Sequence, residues 1–272
     1  MKNKILFLDL DGTLLNDRKE ITTGNRQAMD HALSLGHRIV IASGRPLKSA
    51  LLQAERLGLN GKGCYVIAYN GAVIYDCAEK RCVFSMTLQW DDLFEVFDEA
   101  NRRGIYIQTY DGDDVVLERR NAEHMAVRYC APIQMTYHVI EDVRKDLTEP
   151  PCKALLIDFR DRTYTEPMRQ WITEHMRGRV DTFFSSAYYL EVVPAGMNKG
   201  RAVMDLCGVL GIPVSEAVAA GDEANDISMI SAAGTGVAVQ NAVPEVKAVA
   251  AYITQRDNNH DAVAEIIEKF LL

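Results

Sequence analysis

The feature that most restricts the fold is a continuous apolar run at residues 4–9, KILFLD, which ends in a carboxylate. Such a run is typical of a parallel strand that is buried on both faces of a sheet. Further apolar runs occupy residues 38–42, 64–69, 188–193, 217–221 and 235–239, and a hairpin is predicted through residues 72–85. Helical patterns occupy residues 22–35, 46–58, 199–210, 224–232, 244–250 and 261–271. This alternation predicts an α/β fold with a doubly wound, mostly parallel Rossmann-like sheet.

The pattern changes between residues 86 and 186, where hairpins interrupt the alternation. Helices are predicted at 90–103, 121–131 and 165–176, and strands at 105–110, 115–118 and 153–159. This order indicates an α+β module. We therefore predict a catalytic core made of 1–85 and 187–272, and an inserted α+β cap at 86–186 that acts as a mobile lid. The joining segments, near Phe84–Thr87 and Ser185–Tyr188, would be its hinges.

The charge balance limits the partners. With 30 Lys and Arg against 38 Asp and Glu, the formal net charge is −8, so nucleic acid and anionic membranes should be repelled. No apolar run reaches the ~18 residues of a membrane-spanning helix, and two early aspartates do not fit a signal peptide. Six cysteines without a CxxC pair indicate reduced thiols in a cytoplasmic protein. We expect a monomer or weak homo-oligomer that acts on a small molecule.

The sharpest chemical signal is Asp9-Leu-Asp-Gly-Thr13, directly after the first apolar run. Ligands of open α/β sheets bind at the carboxyl ends of the strands. Two carboxylates at i and i+2 can point into one small space there, and Gly12 lets the backbone turn sharply. One carboxylate can attack while the other moves protons. The alternative is an ordinary strand end followed by an Asp-Gly turn.

Two weaker signals also lie at predicted helix starts. Ser43-Gly44 follows the second apolar run, where a hydroxyl and free backbone amides suit a phosphoryl group. The alternative for this pair is a helix cap. Lys199 opens a helix, which is the unfavourable end for a cation and therefore hints at a bound anion. The alternative for Lys199 is a solvated side chain.

Gly221-Asp-Glu-Ala-Asn-Asp226 repeats the first pattern, because glycine and carboxylates again follow an apolar strand. Asp222 lies where a second carboxylate could share a divalent cation with Asp9. Magnesium prefers hard oxygen ligands and needs only one or two carboxylates. The alternative is a capping box on the next helix with Asp222 as its cap, and Asn225 or Asp226 could take part in it.

Together these motifs resemble the haloacid dehalogenase (HAD) superfamily, in particular Cof-type class IIB phosphatases similar to the YidA-like sugar phosphatases. The resemblance spans nearly the whole chain. The motifs that carry it are Asp9–Thr13, Ser43–Arg45, Tyr69–Ala72, Asn198–Gly200 and Gly221–Asp226. The inserted segment matches the position of the family's class C2B cap.

The resemblance implies a Mg²⁺-dependent phosphomonoester hydrolase that acts on small soluble phosphates, notably sugar phosphates, through an aspartyl-phosphate. In this scheme Asp9 is the nucleophile, Asp11 is the general acid and base, and Lys199 is the third catalytic residue. The implied metal ligands are Asp9, the backbone carbonyl of Asp11, and Asp222. The implied phosphate-binding groups are the Leu10 backbone, Ser43, Gly44, Lys199 and Asn225.

The chain departs from the family pattern in small ways. Ser43 replaces a common threonine, Gln240 precedes Asn241 where glycine is frequent, and Ala262 follows Asp261 where glycine is usual. None of these departures touches the proposed catalytic residues. Two other functions stay open: a phosphomutase of the same superfamily, and a non-catalytic sugar-phosphate binder, which would need no nucleophile.

Overall fold

A computed structural model describes residues 3–272 and confirms the predicted α/β fold with a parallel-rich sheet. The first part of the chain forms β1 (Ile5–Leu8), α1 (Thr23–Ser34), β2 (Arg38–Ala42), α2 (Leu47–Arg56), β3 (Cys64–Ala68), β4 (Val73–Asp76) and β5 (Arg81–Ser85). Every side chain of β1 is buried, as its uninterrupted apolar sequence requires.

The middle part of the chain does not follow the strand–helix alternation of the first and last parts. It forms α3 (Trp90–Arg103), β6 (Ile107–Asp111), β7 (Asp114–Glu118), α4 (Glu123–Ile133), β8 (Tyr137–Ile140), α5 (Val143–Asp146), β9 (Ala154–Ile157), α6 (Glu166–His175), β10 (Val180–Phe184) and β11 (Tyr189–Pro194). The strands predicted at 105–110 and 115–118 form a hairpin around Asp111-Gly112, in which β6 pairs antiparallel with β7.

The last part of the chain returns to alternating helices and strands. It forms α7 (Lys199–Leu210), β12 (Ala217–Gly221), α8 (Ile227–Ala232), β13 (Thr235–Ala238), α9 (Pro244–Val249), β14 (Tyr252–Ile253) and α10 (Ala262–Phe270). No helix within residues 3–272 is both long enough and apolar enough to cross a membrane. All six cysteines are free thiols.

The first and last parts share one eight-stranded sheet, in the order β14-β13-β12-β1-β2-β3-β4-β5. β1 pairs in parallel with β2 on one side and with β12 on the other. The order of the strands reverses at β1, so the carboxyl ends of β1 and β12 border a topological switch point. Phe7, Val203 and Met229 belong to one buried cluster that joins this sheet to α7 and α8.

The middle part has its own six-stranded sheet, in the order β10-β11-β9-β6-β7-β8. Its apolar core includes Phe97 of α3 and Ile172 of α6. One charged pair is buried in this unit: Lys153 Nζ lies 2.9 Å from Glu191 Oε2, and the two side chains are 1% and 4% exposed.

The chain divides into two compact units. Unit 1 comprises residues 3–44, 50–84 and 198–272, and unit 2 comprises residues 45–49 and 85–197. The sequence-based division placed the return to the core at residue 187 instead. The difference arises because β11, taken from its apolar sequence as a core strand, pairs antiparallel with β9 and β10 in unit 2. The proposed hinge near Ser185–Tyr188 is therefore wrong, since it lies between β10 and β11 inside that unit.

Candidate active site

Asp9 lies at the carboxyl end of β1, where the backbone leaves the sheet. Its N–H donates to the carbonyl oxygen of Ala220 at 3.0 Å. The chain then turns back, because the N–H of Leu14 donates to the carbonyl oxygen of Asp9 at 3.2 Å. Gly12 has a φ of +89° in this turn, and a Cβ there would lie 2.3 Å from a carboxylate oxygen of Asp222. Both the turn and this close approach require glycine.

Three buried carboxylates meet at this edge of the sheet. Asp9, Asp222 and Asp226 each offer an oxygen, and these oxygens all lie within 4.8 Å of one another. Asp222 comes directly after β12, the strand next to β1, which explains why residues so far apart in sequence meet. Its Oδ1 accepts a hydrogen bond from Thr13 Oγ1 at 2.7 Å. Thr13, the last residue of the first motif, therefore holds the carboxylate of Asp222.

Lys199 supplies the positive charge of this cluster. It is the first residue of α7 and is only 1% exposed. Its Nζ lies 2.5 Å from Asp9 Oδ1 and 2.6 Å from Asp226 Oδ1. The alternative of a solvated lysine is therefore wrong. The helix start that carries it is fixed by Asn198, whose side chain accepts from the N–H of Arg201.

Asp226 is the member of the cluster whose role the sequence left open. Its Oδ1 contacts Lys199, and its Oδ2 accepts from the N–H groups of Asp222 at 3.0 Å and Glu223 at 3.1 Å. The capping box that the sequence analysis gave as an alternative is present. Its N-cap is Glu223, however, and not Asp222. Asp226 thus orients Lys199 and the loop that carries Asp222, and both of its oxygens are occupied.

The charges of the cluster are strongly coupled. Burial raises the pKa of Asp9 well above its usual value, the charge of Asp226 raises it further, and Lys199 opposes both. Burial also raises the pKa of Asp222, to about 7. Burial alone would lower the pKa of Lys199, but the charges of Asp226 and Asp9 outweigh it and raise that pKa. The lysine therefore stays protonated between the carboxylates.

Asp11 lies outside this buried cluster. Its side chain is 38% exposed, and its Oδ1 lies 2.9 Å from Nζ of Lys19 on the same loop. Lys19 itself adopts a left-handed conformation, with a φ of 61°. A carboxylate that contacts solvent can exchange protons with it, in contrast to the buried carboxylate of Asp9.

A second group of polar residues surrounds Asn70, which belongs to the Tyr69–Ala72 motif but was assigned no role in the sequence analysis. Its side-chain Oδ1 accepts from Asn225 Nδ2 at 3.2 Å, and its N–H donates to the carbonyl oxygen of Ser43 at 3.1 Å. A Cβ at Gly44 would lie 3.0 Å from the Asn70 amide. The structure therefore brings Ser43, Gly44 and Asn225 together around one residue. The signal that could have found it is Asn70-Gly71 after a strand, since asparagine tolerates the left-handed φ of 56° seen here.

The donor set suits a hard divalent cation. Asp9 and Asp222 each use Oδ1 in the contacts described above, which leaves Oδ2 of each available among the described residues. Asp226 is already occupied, so two carboxylates remain, the number that Mg²⁺ commonly uses together with water. The side chain of Leu10 is fully buried, so only its backbone could serve a ligand.

Comparison with known proteins places this chain in one family. The family profile described as haloacid dehalogenase-like hydrolase matches residues 6–267. The Bacillus subtilis (strain 168) protein named "Putative phosphatase YxeH" is 32% identical, over 99% of this chain and 98% of its own. The 5-amino-6-(5-phospho-D-ribitylamino)uracil phosphatase YitU of the same organism is 25% identical, over 99% of this chain and 98% of its own.

A solved structure agrees with these sequence relatives. The crystal structure of a haloacid dehalogenase-like hydrolase from Bacteroides thetaiotaomicron has a TM-score of 0.88 and 34% identity, and the match covers 98% of this chain and 99% of that one. The chain therefore belongs to the haloacid dehalogenase-like hydrolases. Within that family it is a phosphatase.

Proposed function

We propose that this phosphatase hydrolyses small phosphomonoesters, sugar phosphates among them, with Mg²⁺ and through an aspartyl-phosphate on Asp9. The observation that supports it most directly is the buried contact of 2.5 Å between Lys199 Nζ and Asp9 Oδ1. A binding protein would need the positive charge but not a carboxylate placed beside it. The fixed, ion-paired carboxylate is suited to attack on phosphorus.

In the first step, a carboxylate oxygen of Asp9 forms a bond to phosphorus as the ester P–O bond breaks. Asp11 donates a proton to the departing alkoxide and becomes a carboxylate. In the second step Asp11 takes a proton from water, and the water oxygen attacks phosphorus. The bond from phosphorus to Asp9 then breaks and inorganic phosphate leaves. The site returns to its starting protonation state.

The remaining residues of the site bind and orient the phosphoryl group. Lys199 offsets negative charge on Asp9 and on the phosphoryl oxygens. Ser43, Gly44, Asn225 and the Leu10 backbone would bind those oxygens through hydroxyl, amide and N–H groups. Magnesium would be held by Asp9, Asp222 and the Asp11 carbonyl, and it would neutralise charge that builds up on the phosphoryl group.

The organic part of the substrate is the less constrained part of the proposal. The relative YitU is named for a substrate whose phosphate is esterified to a ribityl chain, so phosphorylated sugars and polyols are a suitable first panel. Phosphate release is measured for each compound, with product analysis by NMR. Free phosphate and dephosphorylated product support the proposal. Conversion of a sugar 1-phosphate to an isomer without free phosphate would indicate a phosphomutase instead.

We predict that turnover requires Mg²⁺ and that Ca²⁺ restores it poorly. Mg²⁺ imposes a tight octahedral geometry, whereas Ca²⁺ accepts longer and more numerous contacts that would misplace Asp9. The measurement is phosphate release after exhaustive chelation and after addition of each metal. Thermal unfolding is followed in parallel, since a bound ion stabilises the folded state by linkage. Full turnover in the chelated enzyme would contradict the prediction.

We also propose that unit 2 selects the substrate, because all five motifs from the sequence analysis lie outside residues 85–197. Replacing these residues with the corresponding insert of a related phosphatase should change the order of preferred substrates. The need for Asp9 and Mg²⁺ should stay the same in the chimera. The measurement is kcat/KM over the same substrate panel. An unchanged order of preference in a folded, active chimera would refute this role.

A further inference from the structure

Two asparagines of the C-terminal segment contact the loop that carries Asp11. Asn241 Nδ2 donates to the carbonyl oxygen of Gly12 at 2.7 Å. Asn258 Nδ2 donates to the carbonyl oxygen of Leu15 at 3.0 Å. Gly12 follows Asp11 directly and Leu15 lies four residues beyond it. Both contacts therefore hold the backbone of the loop on the C-terminal side of Asp11.

The two asparagines are also bonded to each other. The N–H of Asn258 donates to Asn241 Oδ1 at 3.0 Å. Because that oxygen must face a donor, the Nδ2 of Asn241 must face the carbonyl of Gly12, which fixes the orientation of the amide. Asn258 is buried, and its Nδ2 also lies 3.3 Å from Asp17 Oδ1. The pair, Asn241 and Asn258, is called the asparagine clamp below.

The position of the Asp11 carboxylate depends on the backbone of its loop, which Thr13 also anchors through its hydrogen bond to Asp222. The carboxylate of Asp11 is partly exposed, and its ion pair with Lys19 joins two residues of the same loop. Exposed ion pairs hold geometry weakly. The clamp, in contrast, ties the backbone of the loop to the segments that follow β13 and β14, two strands of the eight-stranded sheet.

We propose that the asparagine clamp positions Asp11 for proton transfer. This inference rests on the proposed function, in which Asp11 protonates the leaving group. Neither asparagine contacts the carboxylates of Asp9 or Asp222 through the hydrogen bonds described, so both are positioning residues.

The clamp has a specific kinetic consequence. An alkyl phosphate has a basic leaving group that needs a proton as the P–O bond breaks, whereas an acidic phenol leaves without one. A misplaced acid therefore slows alkyl phosphates more than activated aryl phosphates. The value kcat/KM reports the first irreversible step, the transfer to Asp9, so its dependence on the leaving-group pKa isolates the role of Asp11.

The experiment measures kcat/KM for a series of aryl and alkyl phosphates with saturating Mg²⁺. The test variants are Asn241→Ala, Asn258→Ala and Asn241→Asp. The last keeps the acceptor for the Asn258 N–H and the side-chain shape, and it replaces the donor to Gly12 with a negatively charged acceptor. Asp11→Asn serves as the reference for a missing acid.

The matched control is Asn25→Ala. Asn25 is fully buried, and its Oδ1 accepts from the N–H of Ala264 at 2.8 Å. It ties α1 to α10 and shares no hydrogen bond with the clamp or the loop of Asp11. A general loss of stability should therefore be similar in this variant, without any change in the leaving-group dependence.

We expect the three clamp variants to lose about 10–100-fold on alkyl phosphates and much less on activated aryl phosphates. Asp11→Asn should show the same steepened dependence in stronger form, and Asn25→Ala should keep the wild-type dependence. Equal losses on both substrate classes in the clamp variants would overturn the proposal. A wild-type dependence in Asp11→Asn would instead refute the role of Asp11 itself and, with it, the clamp. Because Asn241 is exposed, its variants should fold even if Asn258→Ala does not.

Discussion

Asp9→Asn is expected to abolish turnover while the protein still folds. The amide has nearly the shape of the carboxylate but does not attack phosphorus, so the covalent step is lost. Removing a catalytic nucleophile in other enzymes costs many orders of magnitude, and we expect a loss of at least about 10⁴-fold here. The fold should survive because Lys199 keeps its contact of 2.6 Å with Asp226. Burial also opposes the charge of Asp9, so a neutral amide is well tolerated there.

The measurement is single-turnover and steady-state phosphate release, together with thermal unfolding. Wild-type enzyme quenched in acid during turnover should carry a phosphoryl group on Asp9, and the variant should not. A matched control is Asp92→Asn in unit 2, because Asp92 is also buried and ion-paired, at 2.8 Å from Arg179. That control should keep its turnover. Retention of even a few per cent of activity in Asp9→Asn would remove it as the nucleophile.

The sequence predicted the interior of both sheets better than their edges. The strands it missed, β8, β10 and β14, each lie at the edge of a sheet. An interior strand pairs on both sides and is covered on both faces, so it has an uninterrupted apolar sequence such as that of β1 or β12. An edge strand pairs on one side only, and most residues of β8 are partly exposed. Its sequence therefore lacks the apolar run that identifies a buried strand.

The residue at which the chain returns to unit 1 was predicted wrongly because a strand of the second sheet has a strongly apolar sequence. β11 is nearly as apolar as the strands of the parallel sheet, with five of its six residues buried. Apolar character reports burial but does not report which strands are neighbours. Only the pairing of β11 with β9 and β10 shows that it belongs to the second sheet.

For the site, the sequence selected residues through their positions after strands and at helix starts. Placement at one edge of one sheet follows from the topology, and Asp9, Lys199 and Asp222 indeed lie together. The partner of Lys199, Asp226, could not be identified in advance, since two adjacent polar residues follow the same strand. The loop contacts of Asn241 were also invisible, because they depend on a turn more than 200 residues earlier in the chain.

Lys199→Met should cause a large loss of both activity and stability. The side chain of Lys199 is fully buried between two carboxylates. Removing it leaves Asp9 and Asp226 without a counter-charge in a site that also contains Asp222. Breaking a buried ion pair by removing one partner lowers the free energy of unfolding by about 3–5 kcal/mol. Loss of a preorganised positive group beside the phosphoryl group should lower kcat by about 10²–10³-fold.

The chain offers a control that separates these two effects. Lys153 is as buried as Lys199 and is paired with Glu191 in unit 2. Lys153→Met should therefore lose a similar amount of stability, measured by denaturant unfolding, yet keep its turnover of an aryl phosphate at a temperature where it is folded. If both variants lost activity in proportion to stability, Lys199 would be a structural residue only.

Magnesium gives a further distinction between the two lysine variants. The carboxylates left by Lys199→Met form a more negative site, because the cation that competed for Asp9 is gone. Mg²⁺ should therefore raise the unfolding midpoint of Lys199→Met more than that of the wild type, since an ion that binds only the folded state stabilises it by mass action. Lys153→Met should respond to Mg²⁺ as the wild type does. If Mg²⁺ did not raise the unfolding midpoint of a folded Lys199→Met protein, Lys199 and the metal would not compete for the same carboxylates.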